Sequence, residues 1–323
     1  MSEVLLEVRN LCVDFGALAA LKDVSFDLRQ GETLGLVGES GSGKSTLARA
    51  ILRLIPAARG SVMWRGLDLL SCDAATLRRQ RRDLQMVFQD PLASLNPRMT
   101  VGETLGEPLK IFEPALSSLE RRARIDDMLE RVGLTRTMAD RYPHEFSGGQ
   151  CQRIGIARAM MLRPKLLICD EPVSSLDVSI QGQIVNLLLD LQREFDTAML
   201  FISHNLAVVR HLSHRVLVIY LGRLVEIAAR DQLFAAPIHP YTRELLAAVP
   251  DPTRARAGTP MVADAKMAAG EQLPALDQVA CGCAFRNRCA YAEPNCALSA
   301  PELEQVAAQH AVACHRRREL VYS

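Results

Sequence analysis

A strand, a glycine-rich turn and a helix in direct succession constrain this chain more than any other feature. The apolar run Thr33-Leu34-Gly35-Leu36-Val37 leads into Gly38-Glu39-Ser40-Gly41-Ser42-Gly43-Lys44-Ser45-Thr46, and an amphipathic stretch from Lys44 to Leu54 follows. The spacing is G-x-x-x-x-G-K-S, and the flanking strand and helix predict a P-loop rather than a chance match. Gly38, Gly41 and Gly43 let successive N–H groups turn inward on an anion, and the helix start adds its positive dipole end. Lys44 is then placed to reach the β- and γ-phosphates of a nucleotide, and the Ser45 hydroxyl to bind Mg²⁺, with Ser40 and Thr46 as further loop candidates. A glycine-rich turn with no ligand is the plainer reading. It requires neither three glycines in this register nor a lysine followed by two hydroxyls.

The chain's 323 residues suit one large domain and a smaller one. Hydrophobic residues at 49% and charged residues at 23% are the balance of an ordinary globular protein. Lys+Arg 38 against Asp+Glu 37 leaves a net charge of +1, so the total gives no support to a polyanionic partner, and no nucleic-acid binding is expected. Met1 to Asn10 carries acidic residues and no long apolar core, so no signal peptide is expected. No apolar run approaches the ~20 residues of a membrane-spanning helix. Work at a membrane would therefore go through a partner. Nine cysteines without a secretory signal point to a reducing compartment, where metal binding or free thiols are favoured over disulfides.

Along the chain, Val4 to Asp14 and Val24 to Leu28 alternate like an antiparallel pair of strands, with Phe15-Gly16-Ala17 turning between them. Phe15 is a candidate to stack on an adenine ring, with a core aromatic as the equal alternative. Ser61 to Trp64 and Asp83 to Phe88 read as strands, the second ending in Gln89-Asp90-Pro91. A polar residue at the carboxyl end of such a strand is where ligands are met, which makes Gln89 a candidate for Mg²⁺ or a water. From about 91 to 161 helical periodicity replaces alternation, as in Leu119 to Val132, and predicts a helical insertion. It ends in Phe146-Ser147-Gly148-Gly149-Gln150 before a helix from Cys151 to Met161, so Ser147 is a candidate N-cap on a second anion-facing helix start. Leu166 to Asp170 is apolar enough to be a buried central strand, and Asp170-Glu171 then stand at the sheet's carboxyl edge. Successive side chains on a strand diverge, so Asp170 can serve Mg²⁺ while Glu171 faces a water. Ser175-Leu176-Asp177, a helix from Ser179 to Phe195, the strand Ala198 to Ile202 and Ser203-His204-Asn205 follow. Strand Arg215 to Leu221 and a hairpin-like Gly222 to Ile227 complete the expected sheet.

The order of Phe15, the P-loop, Gln89, S-G-G-Q at Ser147 to Gln150, Cys169-Asp170-Glu171, Ser175-Leu176-Asp177 and His204 resembles the nucleotide-binding subunits of ABC transporters. Asp90-Pro91-Leu92-Ala93-Ser94-Leu95-Asn96-Pro97-Arg98-Met99 and Pro237-Ile238-His239-Pro240-Tyr241-Thr242 look more narrowly like the oligopeptide/dipeptide importer ATPases. The resemblance implies an α/β P-loop NTPase cassette of ABC type, with a mixed sheet, an antiparallel β subdomain and a helical insertion. It implies ATP and Mg²⁺ as ligands and an ATPase that powers peptide import. Its partners would be a second ABC ATPase subunit, two permease subunits and an extracytoplasmic binding protein, at the cytoplasmic face of the inner membrane. In that scheme Phe15 stacks on adenine, Ser45, Gln89 and Asp170 serve Mg²⁺, Glu171 polarises water and His204 contacts the γ-phosphate. Ser147, Gly149 and Gln150, with Asp177, would serve the nucleotide held between paired subunits. A soluble non-transport ABC ATPase, or an importer of another cargo such as nickel, remains the alternative. Three positions depart from the pattern: Phe146 replaces the common Leu, Cys151 an Arg near the γ-phosphate, and Asn205 an Asp.

The expected division is a cassette over residues 1–250 and, over 251–323, a linker with a small Cys-rich C-terminal module. Asp251 to Gly270 reads as linker, and Cys281, Cys283, Cys289, Cys296 and Cys314 lie beyond it in a segment too short to build much core. Clustered thiols with little apolar mass generally need a metal. The run from Gly282 to Cys289, with Cys296 and Ala313-Cys314-His315, resembles the cysteine-rich end of the peptide-importer ATPases, which implies a [4Fe–4S] cluster on Cys283, Cys289, Cys296 and Cys314. Zn²⁺ is the alternative metal and free thiols the plainer reading. Cys281 is left unassigned.

Overall fold

The computed structural model describes residues 3–248 and 281–320. Its strands, in chain order, are β1 (Val4–Phe15), β2 (Leu18–Arg29), β3 (Thr33–Val37), β4 (Arg59–Trp64), β5 (Leu67–Asp68) and β6 (Leu84–Val87). They continue with β7 (Leu166–Asp170), β8 (Ala198–Ile202), β9 (Arg215–Tyr220), β10 (Arg223–Ala229), β11 (Glu304–Ala307) and β12 (His310–Val312). The helices begin with α1 (Lys44–Ile51), α2 (Ala74–Gln80), α3 (Val101–Phe112), α4 (Ser118–Arg131), α5 (Gly148–Met160) and α6 (Val178–Phe195). The shorter ones are α7 (Leu206–Leu212), α8 (Arg230–Ala235), α9 (Pro240–Ala247), α10 (Pro294–Leu298) and α11 (Arg317–Leu320). The chain divides into two compact units. One holds Met1–Glu7, Asp27–Gly35 and Val62–Ser203, the other Val8–Phe26, Leu36–Ser61 and His204–Ser323.

In the first unit the strands lie in the order β3-β8-β7-β6. β6 runs parallel to β7 with Leu84 opposite Leu166, and β7 runs parallel to β8 with Asp170 opposite Ile202. β7 and β8 are buried at every position, as strands covered on both faces must be, which accounts for their unbroken apolar sequences. The stretch expected as a helical insertion forms α3, α4 and α5. Each of these begins with a reciprocal capping box: Thr100 with Glu103, Ser117 with Glu120, and Ser147 with Gln150. Two orphan N–H donors are satisfied at each start, so local sequence places the helices before packing does. α6 turns Ile184, Val185, Leu188 and Leu191 inward on one face.

In the second unit β9 and β10 form the expected hairpin, Arg223 opposite Tyr220. Leu221 and Gly222 turn it, both at positive φ, and a Cβ on Gly222 would stand 2.4 Å from the Ala20 carbonyl oxygen. β10 continues outward: β12 pairs antiparallel to it, Glu226 opposite Val312, and β11 pairs antiparallel to β12. Val312 packs with Ile238 and Leu320. Glu226 is fully buried and accepts hydrogen bonds from Ile238 N at 2.9 Å, His239 N at 3.0 Å and His310 Nε2 at 2.7 Å. The expected linker, residues 251–270, lies outside the described residues. No helix among the described residues is long and apolar enough to cross a membrane.

Candidate functional site

The glycine-rich loop belongs to the second unit. β3 ends buried, and the chain must then leave it past the β9 backbone: a Cβ on Gly38 would stand 2.3 Å from the Ile219 carbonyl oxygen. Gly43 closes the loop at φ +103, where a Cβ would meet the Ala20 carbonyl oxygen at 2.9 Å. A side chain at either position would fill the cradle or force its walls apart. Lys44 opens α1, nearly buried, and its Nζ donates to the Gly38 carbonyl at 2.9 Å and the Glu39 carbonyl at 2.8 Å. The loop therefore folds around one positive charge. Ser42 Oγ is buried in the same loop without a hydrogen-bond partner among the described residues. Phe15 stands half exposed on the β1–β2 turn, not in the core.

His204, two residues after the end of β8, belongs like the loop to the second unit. The next residue, Asn205, caps α7, its side-chain oxygen accepting from Ala207 N at 3.1 Å and Val208 N at 3.4 Å. Asn and Asp are equivalent in that capping role, which gives the departure at 205 a benign local account.

The remaining candidates for the nucleotide and its Mg²⁺ lie in the first unit. Asp170 is the last residue of β7 and nearly inaccessible. Glu171 sits in the left-handed region at φ 47, its N–H donating to the Ile202 carbonyl at 3.1 Å. A non-glycine residue held there marks local strain maintained by its surroundings. Gln89 Nε2 donates to Glu171 Oε2 at 3.5 Å, so the structure brings the strand-end glutamine and the second carboxylate together. Burial, with the charge of Asp170 beside it, pushes the Cys169 thiol up, and it stays a neutral core group.

Ser147 and Gln150 spend their side chains on each other's backbone: Ser147 N donates to Gln150 Oε1 at 3.0 Å, and Gln150 N to Ser147 Oγ at 3.4 Å. Gly149 faces Ile180, whose Cγ2 would be 2.9 Å from an added Cβ. Asp177, exposed, occupies the N-cap position of α6 without a side-chain cap hydrogen bond. Cys151 is fully buried, its thiol 3.5 Å from the Pro143 carbonyl, and burial raises its pKa. That position packs the start of α5, so the cysteine is a neutral filler there.

Among the C-terminal thiols, burial is the first cause that raises Cys283, Cys289 and Cys314, the last pushed up to about 11. Their neighbours add to it: Cys296 and Cys289 act on Cys283, Cys296 acts on Cys289, and Cys283, Cys289 and Cys296 act on Cys314. The four thiols thus share one neighbourhood. Gly282 shapes it, at φ +80 and with the Cys296 carbonyl oxygen 2.4 Å from where its Cβ would be, while Cys283 N donates to that carbonyl at 2.7 Å. Cys281 is exposed. Among the described residues no three His, Cys, Asp or Glu side chains stand at metal-ligand spacing.

Sequence reading missed Arg288 and Glu226. Arg288 carries no motif of its own, and its partners Glu39 and Glu244 are distant in sequence.

The sequence profile described as ABC transporter matches residues 21–174, and that described as the oligopeptide/dipeptide transporter C-terminal region matches residues 225–296. The oligopeptide transport ATP-binding protein OppF of Salmonella typhimurium is 51% identical, covering 97% of this chain and 96% of its own length. OppF of Escherichia coli is 50% identical with the same coverage. A probable peptide ABC transporter ATP-binding protein of Sinorhizobium fredii is 49% identical over 98% of this chain and 91% of its own. Among solved structures, the ATP-binding cassette MJ0796, a dimer bound to ADP and Pi, superposes with a TM-score of 0.64 at 29% identity, covering 70% of this chain and 99% of that one. The cbiO1 subunit of Clostridium perfringens superposes with a TM-score of 0.65 at 26% identity, covering 72% and 91%.

Proposed function

Because the chain belongs to the ABC transporter family of ATP-binding subunits, in its oligopeptide/dipeptide branch, we propose that it hydrolyses ATP to power peptide import. The observation that carries the reading is the loop from Gly38 to Thr46, whose glycines leave room for phosphate and whose lysine is held inside it. A triphosphate fits that chemistry: inward N–H groups, one ammonium and the start of α1. Ser40, Gly41 and Thr46 complete the cradle, and Phe15 offers an exposed ring for the adenine. Mg²⁺ would be held by Ser45, Gln89 and Asp170 and would neutralise charge on the phosphates. Glu171 is the base that polarises the attacking water, and Gln89 orients its carboxylate. His204 contacts the γ-phosphate.

One chain has one P-loop and one S-G-G-Q segment, so two ATPase subunits pair, with Ser147, Gly149, Gln150 and Asp177 serving the partner's nucleotide. Permease subunits carry the peptide across, an extracytoplasmic binding protein delivers it, and this subunit sits peripherally on the cytoplasmic face. The loop from Gln89 to Met99, with Leu92 exposed, is the dock for a permease.

For the C-terminal segment, the clustering of cysteines in a stretch with little apolar mass, as at the cysteine-rich end of the peptide-importer ATPases, supports a [4Fe–4S] cluster on Cys283, Cys289, Cys296 and Cys314, with a structural role. The wide spacings favour it over zinc. The proposed organisation is a cassette over 1–250 and a tail over 251–323.

The test is Glu171→Gln in the complex reconstituted with its permeases. ATP binding is expected to persist while hydrolysis falls by about 10²-fold or more and peptide uptake stops. Hydrolysis at the wild-type rate would remove Glu171 from its role.

A further inference from the structure

Glu39, the residue after the first glycine of the P-loop, is gripped from the far end of the chain. Its N–H donates to Tyr241 Oη at 2.9 Å. Its carboxylate accepts from Arg288 Nη1 at 3.0 and 3.2 Å. Its carbonyl accepts from Lys44 Nζ at 2.8 Å. The other terminal nitrogen of Arg288 donates to Glu244 on α9. The guanidinium carbon lies 5.5 Å from the centre of the Phe285 ring and 5.8 Å from that of Tyr220. These rings are themselves packed: Tyr220 and Tyr241 centroids are 4.6 Å apart, Tyr220 and Phe285 5.3 Å, and none is more than 2% exposed. Two carboxylates and two aromatic rings hold the guanidinium, so little side-chain freedom is left to lose on binding.

A carboxylate in the loop that receives a triphosphate is electrostatically wrong unless something neutralises it. We propose that Arg288 is a positioning residue for the P-loop: it neutralises Glu39 and fixes the loop's first turn, making ATP affinity depend on the cysteine-rich segment that carries it. Lys44 is the second beneficiary. Its ammonium leans on the Glu39 carbonyl, so a displaced Glu39 carries the phosphate-binding lysine with it. The inference rests on the reading of the loop as an ATP site.

The test uses the full chain, titrated with a fluorescent Mg·ATP analogue, and the reconstituted complex for turnover. Arg288→Ala is expected to weaken binding about tenfold, the scale of one uncompensated charge beside a polyanion. Its KM for ATP should rise by the same factor while kcat at saturating ATP stays within about twofold. In a Glu39→Gln background, Arg288→Ala should change affinity by less than about twofold, because the charge to be neutralised is gone. Arg288→Lys should lie between Ala and wild type, and should supply the same cycle if Arg288→Ala fails to fold. An unchanged affinity in folded Arg288→Ala overturns the inference. So does a tenfold loss that persists in Glu39→Gln, since the arginine would then act through packing alone. Failure of the wild-type chain to bind the analogue would overturn the ATP reading as well, and is thereby distinguished from either result.

Discussion

Replacing Glu226 with alanine should release the C-terminal strands from the sheet. The carboxylate is 0% exposed and is the shared acceptor for Ile238 N, His239 N and His310 Nε2. Ile238 and His239 are themselves 6% and 2% exposed, so neither amide gains water when its acceptor is removed. Each buried orphaned N–H costs about 1–3 kcal/mol, and the imidazole loses a partner too. Relief from burying a carboxylate returns part of this, leaving a net loss of about 3 kcal/mol. For a unit of this size that is a fall in Tm of about 6–12 °C. Because Glu226 stands opposite Val312 on β12, the loss should be local before it is global. Hydrogen exchange read by mass spectrometry should show faster exchange at residues 238–239 and along β12, with β7 and β8 unchanged. His310→Ala removes one of the bonds and leaves both amides satisfied, so it should cost about 1 kcal/mol. If Glu226→Ala melts within 2 °C of wild type and the amides at 238 and 239 stay protected, the reasoning is refuted.

Acid should act through His239, whose pKa burial lowers from 6.5 to about 4 against the raising influence of Glu226. The unfolded chain binds this proton first as pH falls, so stability is full above about 6.5 and lost progressively down to about 4, by roughly 3 kcal/mol from this group. His239→Asn keeps a side-chain acceptor for Tyr241 N, so its melting temperature should fall less over that window; equal slopes for both proteins would remove His239 as the cause. Anaerobically purified protein should carry iron and acid-labile sulfide, which Cys283→Ser or Cys314→Ser should abolish and Cys281→Ser should not. Stoichiometric zinc, or no metal, would overturn the cluster.

What the sequence made legible follows locality. The P-loop, the buried runs of β7 and β8 and the hairpin of β9 and β10 are written in consecutive residues; β3, β7 and β8 keep their expected bounds, and the helix after the loop and the hairpin strands differ by a residue or a few. Ser147 was legible as an N-cap because its partner Gln150 is three residues away. β11 and β12 were not, since His310-Ala311-Val312 is too short to display a period and acquires strand geometry from β10. The same distance hid Arg288, 249 residues from Glu39 along the chain. The left-handed backbone of Glu171 also escaped, because nothing in Cys169-Asp170-Glu171-Pro172 announces a positive φ. That Cys151 is wholly buried was not legible either, because its burial comes from packing that the sequence does not display.

The pairing of β12 with β10 has a consequence for how the edge of this sheet is kept from pairing with other chains. β10 without β12 would present a row of open N–H and C=O groups flanked by Leu224, Val225 and Ile227, an invitation to add a strand from any neighbouring chain. β12 occupies that edge, and β11, with three of its four residues exposed, passes a short polar border to solvent. The tail is therefore a selvedge, the woven margin that keeps a sheet from ravelling into its neighbours. Any shortened version that ends before residue 304 inherits a raw edge, and needs a charge or a proline on β10 to finish it.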